Sequence, residues 1–138
     1  MIPLCPKCHV GLMILNFKEI EVDFCQQCQG VWLDAGELEE LMAVTGARAD
    51  DPLLQLQKQE GARPQNRKYL CPRCDHLLHE ITVPKSDGGL RLDRCPGNHG
   101  LWFDDQELKQ LLMMFPARSG TSKTIDYLNE LFGTASKA

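Results

Sequence analysis

The chain has 138 residues, 43% of them hydrophobic, and a formal net charge of −4 from 15 Lys+Arg against 19 Asp+Glu. That length admits one ordinary domain or two very small ones, and the acidic balance argues against a protein that grips nucleic acid over its whole surface. Seven cysteines, an odd number set mostly as C-x2-C, are poor material for a disulfide framework and point to a reducing compartment. No charged leader followed by a long apolar run opens the chain, and LMIL is too short to span a bilayer, so a soluble cytoplasmic protein with no membrane partner is expected.

Cys5-Pro6-Lys7-Cys8 opens the chain with a spacing that lets two sulfurs reach one ion from a tight turn. Residues 12–17 and 20–24 then read as short strands. In the second, Ile20, Val22 and Phe24 alternate with Glu19, Glu21 and Asp23, the period-two pattern of a half-buried strand. A bend at Phe17-Lys18-Glu19 returns Cys25 and Cys28 to the side of Cys5 and Cys8. After Trp32 a helix is expected over 35–44, with Leu38, Leu41 and Met42 on one face and Gly46 as its stop. Asp34 and Glu37 have capping-box spacing: the aspartate accepts from the first helical N–H groups while the glutamate reaches back to the cap's own N–H. A connector follows, in which Asp51-Pro52 can begin a short helix that Gly61-Ala62-Arg63-Pro64 ends.

The pattern then returns. Cys71-Pro72-Arg73-Cys74 repeats the first knuckle, residues 77–83 and 90–93 are strand candidates, and the turn-forming run 84–89 makes this hairpin four residues longer. CQQCQGVWLDAGELEEL, from Cys25 to Leu41, recurs at equal length as CPGNHGLWFDDQELKQL, from Cys95 to Leu111. Such self-similarity implies one small unit built twice. The second copy keeps Trp102 and the Asp104/Glu107 box, and its helix carries Leu108, Leu111, Leu112 and Phe115 before Pro116. Ile125, Leu128, Leu131 and Phe132 form a last amphipathic stripe. Trp32 and Trp102 are expected as the floor of a small core rather than as stacking platforms for bases.

Units of this size cannot stand on a hydrophobic core alone, so a staple is needed. Cys5, Cys8, Cys25 and Cys28 are four soft ligands in paired knuckles, suited to tetrahedral Zn(II), with iron the chief alternative. Cys71, Cys74 and Cys95 begin a second set. Asn98 stands where the alignment puts a fourth cysteine, and His99, one place on, is expected to close the tetrahedron, with His76 or His79 as alternatives. Two zinc ions per chain lower the charge to about −7, since thiolates replace thiols. Two filled tetrahedra leave no position for water, so no catalytic residue and no enzymatic activity are expected.

At CPKC…CQQCQGVWLDAGELEEL and CPRC…CPGNHGLWFDDQELKQL the chain resembles the family of small prokaryotic TFIIB-type zinc-finger proteins, over about residues 3–45 and 69–115. The resemblance implies a zinc-binding domain with Cys5, Cys8, Cys25, Cys28, Cys71, Cys74 and Cys95 among its ligands. The expected fold is a small, metal-stabilised α+β protein of two zinc-ribbon-like units, each a zinc-knuckle β-hairpin followed by one α-helix, with the helix faces pairing the units. The first unit spans 1–46, a linker 47–66, the second unit 67–116, and a loop with an amphipathic helix 117–138. The expected function is a noncatalytic binding or adaptor module with a protein partner. Residues 63–94 hold seven Lys+Arg against four Asp+Glu, so a transcription-associated ribbon contacting nucleic acid there is the alternative. Metal transfer or zinc catalysis requires an open second site.

Overall fold

The computed structural model describes residues 2–17, 20–37, 40, 61–64, 67–83, 89–105, 107, 108 and 110. They build one six-stranded sheet from β1 (Met13–Phe17), β2 (Ile20–Phe24), β3 (Val31–Asp34), β4 (His79–Val83), β5 (Leu90–Arg94) and β6 (Gly100–Phe103). The spatial order is β1-β2-β3-β6-β5-β4, with every neighbour antiparallel.

The four hairpin strands lie where the alternation and turn residues place them. The third strand of each unit was not expected: VWLD and GLWF pair with each other, and that pairing joins the units. The expectation that helix faces join them falls on residues outside those described; the strand junction itself escaped the sequence, for a physical reason. Each strand is a short apolar run hidden on both faces, with Val31, Trp32, Leu33 and Leu101, Trp102, Phe103 all buried, so it shows none of the alternation that marks a half-buried strand. The helices expected over 35–44 and 108–115 lie almost wholly outside the described residues, and the connector helix and the tail stripe lie wholly outside them. At the start of the first, Glu40 N–H donates to the Gly36 carbonyl at 2.9 Å.

Trp32 sits opposite Trp102, its own counterpart in the repeat. A strand that meets its repeat copy antiparallel at the equivalent residue has a local two-fold axis at that pair. The register extends the symmetry outward: Asp23 faces Trp32 and Asp93 faces Trp102. Close approach at the axis depends on Gly30 and Gly100. A Cβ on Gly30 would stand 2.3 Å from the Trp102 ring, and one on Gly100 would stand 2.2 Å from the Leu33 carbonyl oxygen and 2.8 Å from the Trp32 ring. Each glycine thus makes room at the other unit's tryptophan and strand.

One face of this junction is the core that positions the metal ligands. Trp32 and Trp102 cluster with Leu12, Leu78 and the buried Cys5, Cys25, Cys71 and Cys95, and Tyr69 packs against them. The two tryptophans are the floor of a core, as expected, but of one core shared by both units.

Candidate metal centres

Four knuckles carry the ligands, and all are built alike. The N–H of the first cysteine in each donates to a carbonyl five residues on: Cys5 to Val10 at 2.7 Å, Cys25 to Gly30 at 3.0 Å, Cys71 to His76 at 2.8 Å, Cys95 to Gly100 at 3.1 Å. Inside the turn, backbone N–H groups point at sulfur. Lys7 and Cys8 donate to Cys5 Sγ at 3.3 and 3.2 Å, Cys28 to Cys25 Sγ at 3.4 Å, Arg73 to Cys71 Sγ at 3.3 Å, and Gly97 to Cys95 Sγ at 3.3 Å. Such donors stabilise thiolates held against a cation.

The turn closes through one residue in the left-handed region. In three knuckles it follows the second cysteine: His9 at φ 63°, Gln29 at 66°, Asp75 at 62°. In the fourth it is Asn98, at φ 65°, one place earlier, and asparagine tolerates this conformation better than most side chains. Asn98 therefore turns the chain where the alignment expects a ligand, and His99 takes the ligand's place with Nδ1 3.2 Å from Cys95 Sγ.

The eight expected ligands come together in two groups. Cys5, Cys8, Cys25 and Cys28 form one, and Cys71, Cys74, Cys95 and His99 the other, with the donor atoms of each within 4.8 Å of one another. Cys5 and Cys28 sulfurs are 3.7 Å apart, and those of Cys74 and Cys95 3.6 Å. A tetrahedron of Zn–S bonds about 2.3 Å long has edges of about 3.8 Å, so these spacings fit zinc. Burial pushes the Cys71 thiol up to about 12, so that at neutral pH it is a thiolate only beside a compensating cation. The donor sets fit two zinc ions per chain. His76 and His79 lie outside both sets: His76 Nδ1 is 3.3 Å from Cys74 Sγ, and His79 is on β4 opposite Arg94.

Around the ligands lies a shell of acids that periodicity alone misassigns. Asp23 is expected on the solvent face of β2, yet it is buried, as is its counterpart Asp93. The reason is an arginine laid over each. Arg73 donates through its Nε and an Nη to the two carboxylate oxygens of Asp34, and to Asp23 Oδ2, each at 2.7 Å. Arg67 meets Asp93 Oδ1 at 2.7 Å, reaches Glu80 and Asp104 at 3.5 and 3.6 Å, and lies 4.8 Å over the Tyr69 ring. Burial pushes Asp23 up to about 6 and Asp93 up to about 7, against the pull of these cations.

The capping boxes are formed on one side. Asp34 N–H donates to Glu37 Oε1 and Asp104 N–H to Glu107 Oε1, both at 2.6 Å. The aspartate carboxylates have another use, accepting from Trp32 Nε1 at 2.7 Å and Trp102 Nε1 at 2.9 Å. Sequence reasoning missed this shell, although the signal was there twice: an aspartate two residues before the third cysteine, and a glycine two residues before the tryptophan.

The transcription factor zinc-finger family profile matches residues 4–44 and 70–114, the two segments that carry the knuckles, the tryptophans and the capping boxes. The chain belongs to that family. Comparison with curated proteins and with solved structures gave no match. As a member of the family the chain holds two tandem copies of its zinc-binding unit, and the structure sets the two copies edge to edge. Among the described residues no helix is long and apolar enough to cross a membrane.

Proposed function

We propose that the protein is a noncatalytic binding or adaptor module of the cytoplasm, whose two zinc ions hold a surface in shape and whose partner is a protein. In this reading each unit also carries the helix that its periodicity predicts. One observation carries it: each group supplies four protein donors, a complete tetrahedral shell with no position left for a water to be activated. Asp34 and Asp104, the carboxylates nearest to an acid/base arrangement, are engaged by tryptophan and arginine.

The nucleic-acid reading rests on the cations between residues 63 and 94, and the ion pairs weaken it. Arg67 and Arg73 are committed to Asp93, Glu80, Asp104, Asp23 and Asp34, and Arg94 donates to the Asn98 side chain. Cobalt substitution tests the closed shells. Both centres are expected to give tetrahedral spectra that added cyanide or azide leaves unchanged, and a spectrum that shifts would mean an open site and a different function. Binding to single- and double-stranded DNA and RNA at low and moderate salt tests the alternative. A steep salt slope would establish phosphate contacts and overturn the adaptor reading.

A further inference from the structure

Each knuckle closes on the residue whose carbonyl accepts the first cysteine's N–H, and these residues are Val10, Gly30, His76 and Gly100. Of the four, His76 alone has a side chain that can donate a hydrogen bond. The backbone holds it from both sides. Asp75 turns the chain in the left-handed region at φ 62° and gives its N–H to the Cys71 carbonyl at 3.0 Å, and Leu77 pairs with Leu70 directly after. So placed, the ring brings Nδ1 to 3.3 Å from Cys74 Sγ.

That contact falls where the two centres differ. All four cysteines of the first group are buried or half-buried, whereas His99 of the second is exposed, so water and small solutes reach the second centre from that side. Its sulfurs are unequally protected. Cys71 and Cys95 are buried and accept from the backbone N–H groups of Arg73 and Gly97, both at 3.3 Å, while Cys74 is half-buried. A thiolate on zinc carries no hydrogen and can only accept, so the imidazole nitrogen facing it must be the donor. A hydrogen bond of this kind takes up part of the charge on a metal-bound sulfur and fixes its orientation.

We propose that His76 is a positioning residue of the second zinc centre: its Nδ1–H donates to the Cys74 thiolate, holding that sulfur on the metal and blunting its attack on electrophiles. All three sulfurs of the centre then have a donor. The first unit has Val10 in this place, so the device belongs to the second unit and not to the repeat. His76 acts from outside the ligand set, which Cys71, Cys74, Cys95 and His99 complete. The inference rests on the two zinc centres and is independent of the adaptor reading.

Alkylation of the full chain by iodoacetamide in excess zinc, mapped to each cysteine by mass spectrometry, tests it together with the zinc affinity of the second centre. In His76→Val, which installs the first unit's residue, Cys74 should be modified several-fold faster with Cys71 and Cys95 unchanged. Zinc affinity should fall about tenfold, the lower end for an outer partner because His76 is exposed. His76→Asn should match wild type in both measurements, since its amide nitrogen stands where Nδ1 stood and donates without being a zinc ligand. The sulfur-to-cobalt charge-transfer band of the cobalt-loaded chain should shift with valine and not with asparagine. Wild-type behaviour in His76→Val would mean that the contact is idle. Equal losses in His76→Asn and His76→Val would mean that the imidazole itself is required, as a ligand is, and faster modification of all three cysteines alike would mean a loosened fold. Each of these three results overturns the proposal.

Discussion

The two units share a plan but not a way of balancing charge. The second supplies its own counter-ion, since Arg67 lies over Asp93, Asp104 and Glu80 of the same unit. The first borrows. Its buried Asp23 and its Asp34 are met by Arg73, which stands inside the second unit's knuckle and whose N–H donates to Cys71 Sγ. The knuckle residue in the matching place of the first unit is Lys7, which is exposed. Dependence therefore runs mainly one way: loss of the second zinc centre removes the first unit's counter-charge, whereas loss of the first leaves the second unit's intact.

The largest expected effect breaks that relation outright. Structural zinc contributes on the order of 10 kcal/mol of folding free energy to units this small. Cys71→Ser should therefore bring the chain below one zinc, because it releases the second ion and unseats Arg73 from the first unit. Cys5→Ser should leave one ion, held by the second unit. Zinc per chain by elemental analysis, with far-ultraviolet dichroism, separates the two variants. Equal loss in both would show the units to be mutually dependent through the β3–β6 junction alone.

Next in size are the arginines themselves. Removing one partner of a buried charge leaves the other uncompensated, a cost of about 3–5 kcal/mol that the partial exposure of the arginines reduces to about 2–3 kcal/mol. Arg73→Met should lower the stability of the first unit, and Arg67→Met that of the second, as read by hydrogen exchange at β2 and β5. If both variants act on the same unit, the assignment of counter-ions is wrong. Asp23→Asn in the Arg73→Met background should recover part of the loss, since the buried group is then neutral.

Much of this was legible in the residues, and what was not has identifiable causes. The eight ligands, two zinc ions and four of the six strands follow from knuckle spacing and alternation, because those features are local. His99 was legible because a longer imidazole can close the set from one place further on; the left-handed Asn98 that moves the ligand along came only with the structure. The third strands were hidden, since a four-residue run buried on both faces has no period. The burial of Asp23 and Asp93 was hidden for a different reason: it is set by arginines 50 and 26 residues away along the chain, a separation no window of periodicity spans.

The junction gives a smaller effect with a direction. Overpacking at a close approach costs about 1–3 kcal/mol. Gly100→Ala should exceed Gly30→Ala, because the first meets a carbonyl oxygen fixed in the backbone of β3 while the nearest atoms to the second belong to the Trp102 ring. Thermal unfolding of the zinc-loaded variants gives the order. Gly36→Ala makes a useful contrast: nothing lies within 4 Å of an added Cβ there, and only the φ of +91° is strained.

The smallest effect is electrostatic and tests each unit separately. Burial pushes Glu37 and Glu107 up to about 7, with the neighbouring Asp34 and Asp104 charges adding to it and Arg73 and Arg67 opposing it. In the unfolded chain a glutamate titrates near about 4.3. Between those values the folded state binds more protons, so this contribution is fully present below the unfolded value and is lost as pH rises through the folded one. Glutamine keeps an acceptor for the Asp34 or Asp104 N–H and does not titrate. Glu37→Gln and Glu107→Gln should therefore gain on wild type steadily as pH rises from 5.5 to 8, the advantage levelling off above about 7 and staying under about 1 kcal/mol because both side chains retain contact with water. Comparing variants at the same pH cancels the acid release of zinc, which they share. Combining Glu37→Gln with Arg73→Met should enlarge its advantage, since the cation that restrains the Glu37 shift is gone, while Glu107→Gln in that background should behave as before. A Gln advantage that is flat with pH would mean that neither glutamate is proton-linked to folding.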